Sequence, residues 1–187
     1  MQNNYEFELL NEIGFQSAKE RREILSRGLK ELQKGNVSPK ALKLGEKYRK
    51  EIEVNEWPLV SIRYINDNVG HGVFAEELLK ADCYIGEYTG IVRENTRIYF
   101  VPLNNYCFQY PVLDRTGRNF VIDGTKGNFT RFINHSPKPN LQPAYAFVDG
   151  FYHLIIFPNR DIQKGEQLSY DYGESYWYIR SRPEELS

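Results

Sequence analysis

Long apolar runs, a surplus of either charge, and histidine or cysteine in number are all missing from this 187-residue chain. No stretch approaches the ~20 consecutive apolar residues that a membrane-spanning helix needs. The opening Met1-Gln2-Asn3-Asn4-Tyr5-Glu6 does not read as a secretory signal. A formal net charge of -1 leaves the whole chain without the basic footprint of a nucleic-acid binder, so neither direct nucleic-acid binding nor membrane attachment is expected. Only two cysteines occur, Cys83 and Cys107, both in strand-like apolar contexts. They read as buried thiols in a reducing, intracellular setting and are too few for a cysteine-rich zinc cluster. The three histidines, His71, His135 and His153, lack metal-ligand spacing, so no metal is expected. There is no Gly-x-Ser-x-Gly nucleophile elbow and no Gly-Lys-Ser/Thr phosphate loop.

What the chain does have is a hydrophobic fraction of 41%, enough for a packed core, and 14 tyrosines with 11 phenylalanines, many of them in the second half. Aromatics at this density build cores and strands, and they can also line a site for a cation.

Two textures divide the chain. Residues 1–57 read as a small helical region. Ser17-Ala18-Lys19-Glu20 has the capping-box pattern, Ile24, Leu25, Gly28, Leu29 and Leu32 recur on one helical face, and Gly35 is a stop signal. Ser38-Pro39 restarts a helix whose apolar stripe is Ala41, Leu44, Gly45, Tyr48 and Ile52. Apolar stripes are ordinarily core, which favours a helical hairpin packed on the main domain over a dimerisation or substrate-docking element. From Leu59 the pattern changes to short strands: 59–64, 73–76, 84–92, 106–112, 119–122, 143–148, 151–157 and 167–170. Asp149-Gly150 is a tight-hairpin signal. Many short strands with few helices predict a mostly β domain.

Four constellations in the β-rich region carry polar or aromatic chemistry. In Gly70-His71-Gly72 two glycines allow close approach of a ligand to the backbone, although alone the triplet reads as a turn. Gly86-Glu87-Tyr88-Thr89-Gly90 reads alone as a bulged strand. In Arg131-Phe132-Ile133-Asn134-His135-Ser136, adjacent Asn and His offer directed donors and acceptors, although an isolated Asn-His pair is more often structural. In Tyr170-Asp171-Tyr172 the two phenols share one face of a strand.

In this order and spacing, over residues 59–173, the four segments resemble the SET domain of protein-lysine methyltransferases. Arg-Phe-Ile-Asn-His-Ser followed some thirty residues later by Tyr-Asp-Tyr-Gly is the specific signature, and Arg160-Asp161-Ile162-Gln163-Lys164-Gly165-Glu166 also fits. The resemblance implies a fold of small β-sheets with a C-terminal pseudoknot. It implies S-adenosyl-L-methionine as cofactor, leaving as S-adenosyl-L-homocysteine. It implies that Gly70, His71 and Gly72 hold the cofactor through the backbone, that Tyr106, Arg131, Phe132, Asn134 and His135 contact it, and that Tyr88, Tyr170 and Tyr172 surround the lysine channel, with Tyr172 touching both cofactor and amine. Members with Tyr at the position of Tyr170 retain a hydroxyl that leaves little room for methyl groups, which implies mainly mono- or dimethylation.

The chain departs from many family members. It has no flanking cysteine clusters, Pro137 stands where a cysteine often follows Asn-His-Ser, and residues 174–187 begin with the aromatic run Glu174-Ser175-Tyr176-Trp177-Tyr178. This tail is expected either to cover the cofactor or lysine channel in place of a zinc module or to pack on the core as a terminal helix. The domains expected are therefore 1–57 helical, 58–173 catalytic and 174–187 aromatic tail. From Leu59 onward thirteen basic residues face fifteen acidic ones, which suits a basic protein substrate such as a histone tail. Compact forms without zinc modules occur in viruses and bacteria, so the expected setting is cytoplasm or nucleus, or a host cell. A catalytically silent SET-like peptide-binding module and an oligomer scaffold built on the N-terminal helices are the alternatives.

Overall fold

The computed structural model describes residues 10–95, 104–111, 118–178 and 180. Both expected helices begin where the serines predict. Ser17 Oγ accepts from the Glu20 amide at 3.1 Å to open α1 (Ala18–Gln33), and Ser38 Oγ accepts from the Ala41 amide at 3.1 Å to open α2 (Pro39–Val54). Each satisfies an amide that has no partner within the first turn. Gly35, at φ 71°, closes α1, with the Asn36 amide donating to the Glu31 carbonyl. Asn55, at φ 56°, ends α2 in the same left-handed conformation.

The strands are short: β1 (Gly14–Phe15), β2 (Val60–Asn66), β3 (Gly70–Ala75), β4 (Gly86–Glu87), β5 (Ile91–Asn95), β6 (Cys107–Tyr110), β7 (Asn119–Asp123), β8 (Asn134–His135), β9 (Leu141–Val148), β10 (Phe151–Pro158) and β11 (Ser169–Tyr170). They form four small sheets, ordered β1-β5-β7-β6, β4-β10-β9, β11-β8 and β2-β3. A single four-residue helical turn, α3 (Glu174–Trp177), follows. The mostly β architecture with two N-terminal helices agrees with the sequence reading.

The differences are local and physical. The strand expected over 84–92 is broken into β4 and β5, and in the gap Gly90 lies so close to the Asp123 backbone that a Cβ there would overlap the Asp123 carbonyl oxygen. Gly70-His71-Gly72, which alone reads as a turn, lies within β3. Two strands carry no pattern of their own: β1 pairs parallel with β5, and β8 pairs parallel with β11. Val112, the last residue of the expected 106–112 strand, lies outside the described residues, as does most of the tail beyond Tyr178.

The β9–β10 hairpin turns at Asp149 and Gly150, both at positive φ, and carries the core on two faces. Leu154 and Ile156 join a main cluster with Val73, Ile85, Ile122 and Leu168, whereas Ile155 and Phe157 face Tyr48 and Ile52 of α2. A strand buried on both sides accounts for the unbroken apolar run at Leu154–Phe157. The helices approach that hairpin through glycine. A Cβ at Gly28 would overlap the Gly150 carbonyl oxygen, and one at Gly45 would overlap that of Phe147. The contact made by α1 is narrow as a result. Ile24 and Gly28 are buried, while Leu29 and Leu32 of the predicted stripe remain 42% and 40% exposed. Cys83 and Cys107 are thiols outside any disulfide and are half-buried rather than buried.

Candidate active site

Three chain segments distant in sequence converge through β8. Ser169 and Tyr170 of β11 run parallel to Asn134 and His135, and the Ser136 amide donates to the Tyr170 carbonyl at 3.2 Å. From the other side, Asn134 Nδ2 donates to the His71 carbonyl at 3.0 Å, which joins β8 to β3. A parallel pair cannot be closed by a hairpin, so the link requires a long intervening excursion. Here that excursion contains the β9–β10 hairpin. It brings the C-terminal segment against the Asn-His segment, as the pseudoknot reading requires.

The convergence encloses a cavity of about 910 Å³. Ten of the eleven residues expected at the site line it: Gly70, His71, Tyr88, Tyr106, Arg131, Phe132, Asn134, His135, Tyr170 and Tyr172. Gly72 does not line it. It lies behind the wall, where a Cβ would stand 2.7 Å from Ile65 Cδ1 and 3.1 Å from Asn134 Nδ2, so its smallness lets β3 approach Asn134. Gly70 instead has open space around it and a φ of 77°, a backbone shape that favours glycine.

The tyrosines are held by backbone bonds. Tyr172 donates its phenol proton to the Ile133 carbonyl at 2.9 Å, and its amide donates to His135 Nδ1 at 3.2 Å. Tyr88 is buried and donates to the Tyr106 carbonyl at 2.9 Å, so it serves as wall and as anchor for the Tyr106 segment. The Tyr170 and Tyr172 rings lie 5.0 Å apart, and Phe108 packs edge-on to Tyr88 at 4.6 Å. Burial, with neighbouring phenols adding to it, pushes the hydroxyls of Tyr88, Tyr170 and Tyr172 well above the ordinary tyrosine range. All three are neutral phenols at physiological pH.

Arg131 completes one wall. Its guanidinium lies 4.3 Å from the Tyr106 ring centroid and 5.1 Å from that of Phe132, and it donates to the Thr125 carbonyl. Its Nε is buried without a protein partner. Tyr106 is further fixed by Asn104, whose Oδ1 accepts from the Tyr106 amide at 2.7 Å and whose Nδ2 donates to Asp123 Oδ1 at 3.0 Å. Among the described residues no Asp or Glu side chain lines the cavity, and no group of three His, Cys, Asp or Glu side chains could hold a metal.

Several lining residues carry no role in the sequence reading. Phe108 is two residues from Tyr106, so the period-two alternation of the expected 106–112 strand signals it. Tyr145 donates its phenol proton to the Gln109 carbonyl, and nothing in the sequence marks it. Tyr176 and Trp177 of α3 belong instead to the tail that the sequence expects either to cover the site or to pack on the core; they line the cavity and pack on Tyr172 and His135, with ring centroids 4.6 Å from Tyr172 to Tyr176 and 4.9 Å from His135 to Trp177.

Comparison with known proteins agrees with this geometry. The SET domain family model matches residues 70–173. The histone-lysine N-methyltransferase ASHH3 of Arabidopsis thaliana is 39% identical over 111 residues, covering 57% of this chain and 30% of that protein. The N-lysine methyltransferase KMT5A-A of Danio rerio is 32% identical over 121 residues, covering 60% of this chain and 35% of that protein. The chain thus spans about a third of the length of these two relatives. Among solved structures, KRYPTONITE in complex with mCHH DNA, H3(1-15) peptide and SAH superposes with a TM-score of 0.51 at 28% identity, covering 61% of this chain and 23% of that one. An active polycomb repressive complex 2 superposes with a TM-score of 0.52 at 22% identity, over 66% of this chain and 16% of that one, which is a likeness of fold. The matched span covers more than half of the chain and contains the β8–β11 junction with its Asn-His and Tyr-Asp-Tyr segments, so the chain belongs to the SET domain family.

Proposed function

We propose that this chain is a protein-lysine N-methyltransferase that transfers a methyl group from S-adenosyl-L-methionine to a lysine amine. The observation that carries this reading is the meeting of Asn134, His135, Tyr106 and Tyr172 around one aromatic cavity, which among the described residues no Asp or Glu side chain lines.

The residues present suit the cofactor. The cavity volume of about 910 Å³ lies within the usual range for a cofactor pocket. The lining combines the unpartnered Arg131 Nε, the polar edges of Asn134 and His135 and the Gly70-His71 segment with aromatic rings favourable to a sulfonium. When bound, S-adenosyl-L-methionine would supply the electrophilic methyl group. Gly70 and His71 would hold it through backbone atoms, and Arg131, Phe132, Asn134, His135 and Tyr106 through side chains, with Gly72 letting β3 close on Asn134.

The chain's own residues then orient and dehydrate the amine. An incoming lysine, with an ordinary pKa of ~10.4, must lose its proton to react. The apolar walls of Tyr88, Phe108 and Tyr170 disfavour the charged ammonium and so help that loss. Tyr172 does not abstract it, because burial holds its phenol neutral. Its oxygen, fixed by donation to Ile133, keeps lone pairs that can accept weak C–H contacts from a methyl group. Rate then comes mainly from alignment along one axis.

A basic protein, such as a histone tail, is the proposed substrate class. The excess of acidic residues after Leu59 supports it, as do the relatives' names and the H3 peptide in the KRYPTONITE complex. The proposed organisation is a helical region to residue 57, a catalytic domain over 58–173 and an aromatic tail from 174 that covers the site. The contacts of Tyr176 and Trp177 support the last point. The test is methylation of histones and of a lysate with labelled cofactor, alongside calorimetry with S-adenosyl-L-methionine. No cofactor binding by the native chain would overturn the reading in favour of a silent peptide-binding module.

A further inference from the structure

The cap over the cavity is too short to hold its own place. α3 is a single turn, and one isolated turn is unstable because nucleation costs more than one hydrogen bond returns. Its position must come from tertiary contacts, and beyond ring packing Arg180 supplies three hydrogen bonds among them.

Arg180 reaches across the cavity margin with three separate nitrogens. Nε donates to Asn105 Oδ1 at 3.0 Å, one terminal nitrogen to the Asn104 carbonyl at 3.2 Å, and the other to the Tyr176 carbonyl at 3.0 Å. Its guanidinium carbon lies 4.3 Å from the Tyr176 ring centroid. The far side of this contact is anchored, since Asn104 is bonded to Asp123 and Thr125 and holds the Tyr106 amide. The near side is the cap itself, where Tyr176 and Trp177 pack on Tyr172 and His135.

We propose that Arg180 is a clasp, a positioning residue that closes the Tyr176–Trp177 cap over the cofactor cavity by fastening it to the Asn104–Asn105 turn. The placement of the cofactor in that cavity rests on the reading given under Proposed function; the closure of the cap does not. Asn105 Oδ1 and the Asn104 and Tyr176 carbonyls are neutral oxygens, so among the described residues the clasp has no buried ion pair to break on opening, and its strength depends little on salt. Three acceptors spread around one planar group call for the guanidinium fork, which a lysine ammonium matches only in part.

The experiment compares the native chain with Arg180→Ala and Arg180→Lys, each first checked for an unchanged thermal unfolding midpoint. Hydrogen–deuterium exchange is followed on peptides covering Glu174–Tyr178 and Asn104–Phe108, and S-adenosyl-L-homocysteine is titrated by calorimetry. Arg180→Ala is expected to speed exchange in the first peptide by about tenfold and to weaken cofactor-product binding by about tenfold, the size of losing the net worth of one or two charge-assisted hydrogen bonds. Arg180→Lys should fall between the two. In turnover, KM for the methyl donor should rise while kcat changes far less. Unchanged exchange in Glu174–Tyr178 overturns the clasp. Faster exchange with unchanged binding overturns its role at the site. If the native chain binds no S-adenosyl-L-homocysteine, the cofactor reading fails on its own, and the exchange difference alone upholds or overturns the closure.

Discussion

The Tyr172 phenol donates to the Ile133 carbonyl at 2.9 Å, across a sequence separation of 39 residues. The bond fixes the last tyrosine of Tyr-Asp-Tyr to the residue before Asn134. It orients the phenol oxygen rather than activating it, since burial holds that hydroxyl protonated far above neutral pH. Tyr172→Phe removes the oxygen and keeps the ring. We expect kcat to fall by about 10²-fold, the scale of lost alignment, while S-adenosyl-L-homocysteine affinity stays within about threefold. No limb of the rate–pH profile below pH ~10 should belong to Tyr172. Single-turnover rates measured from pH 7 to 10 check both points, and a limb that vanishes in Tyr172→Phe would show that the phenol titrates.

Asn134 holds β8 to β3 through the His71 carbonyl. Asn134→Ala removes that hydrogen bond at the cavity wall, a loss of roughly 1 kcal/mol. Cofactor-product affinity should drop by about tenfold or more in calorimetry. An unchanged affinity would place the cofactor elsewhere.

Tyr170 is buried beside Tyr172 and lines the cavity. The native chain should therefore yield mainly mono- and dimethyl-lysine, and Tyr170→Phe should move the product toward trimethyl-lysine. Mass spectrometry of reactions run to completion reads the distribution. Dominant trimethylation by the native chain, unchanged by the substitution, would sink the idea.

Gly28 lies in the middle of α1, where alanine would ordinarily stabilise a helix by about 1 kcal/mol. Here its Cβ would overlap the Gly150 carbonyl oxygen, which is backbone and cannot swing aside. Gly28→Ala should instead destabilise by about 1–3 kcal/mol, as overpacking does. A lower urea midpoint with an unchanged slope would register it, and a raised midpoint would mean that α1 does not press on the hairpin.

Asp123 is acid-sensitive in a definite direction. Burial works to raise its pKa, but hydrogen bonds from Thr125, Asn104 and Arg93 outweigh it and hold the carboxyl below its ordinary value. A depressed pKa contributes stability that is fully present above the unfolded value of ~3.9 and is lost as pH falls through the folded value. The native chain should therefore lose stability below about pH 4. In Asp123→Asn this part of the loss should be absent. Urea midpoints from pH 3 to 7 measure it, and parallel pH curves for the two chains would rule it out.

Helix starts, the Asp149-Gly150 turn and most strands were legible in the sequence because each rests on local chemistry. A serine three residues before a free amide, a pair of turn residues and a short β-rich run all act within a few residues of chain. The break at Gly90 was not legible, and the Asp123 backbone that Gly90 approaches there is more than thirty residues away. β1 and β8 are two residues each and exist only because a distant strand offers them a parallel partner.

At the site the sequence by itself determined which side chains are available: neutral phenols, an Asn-His pair, one arginine, and no metal-ligand spacing. The tertiary structure alone decided how they are used. It set Gly72 behind the wall rather than on it, tied the Tyr88 and Tyr172 hydroxyls to backbone carbonyls, and laid Tyr176 and Trp177 over the cavity under Arg180. The reason is that hydrogen-bond partners and burial are properties of three dimensions. A tyrosine's place in the chain states that it has a hydroxyl, and only the fold states what that hydroxyl touches.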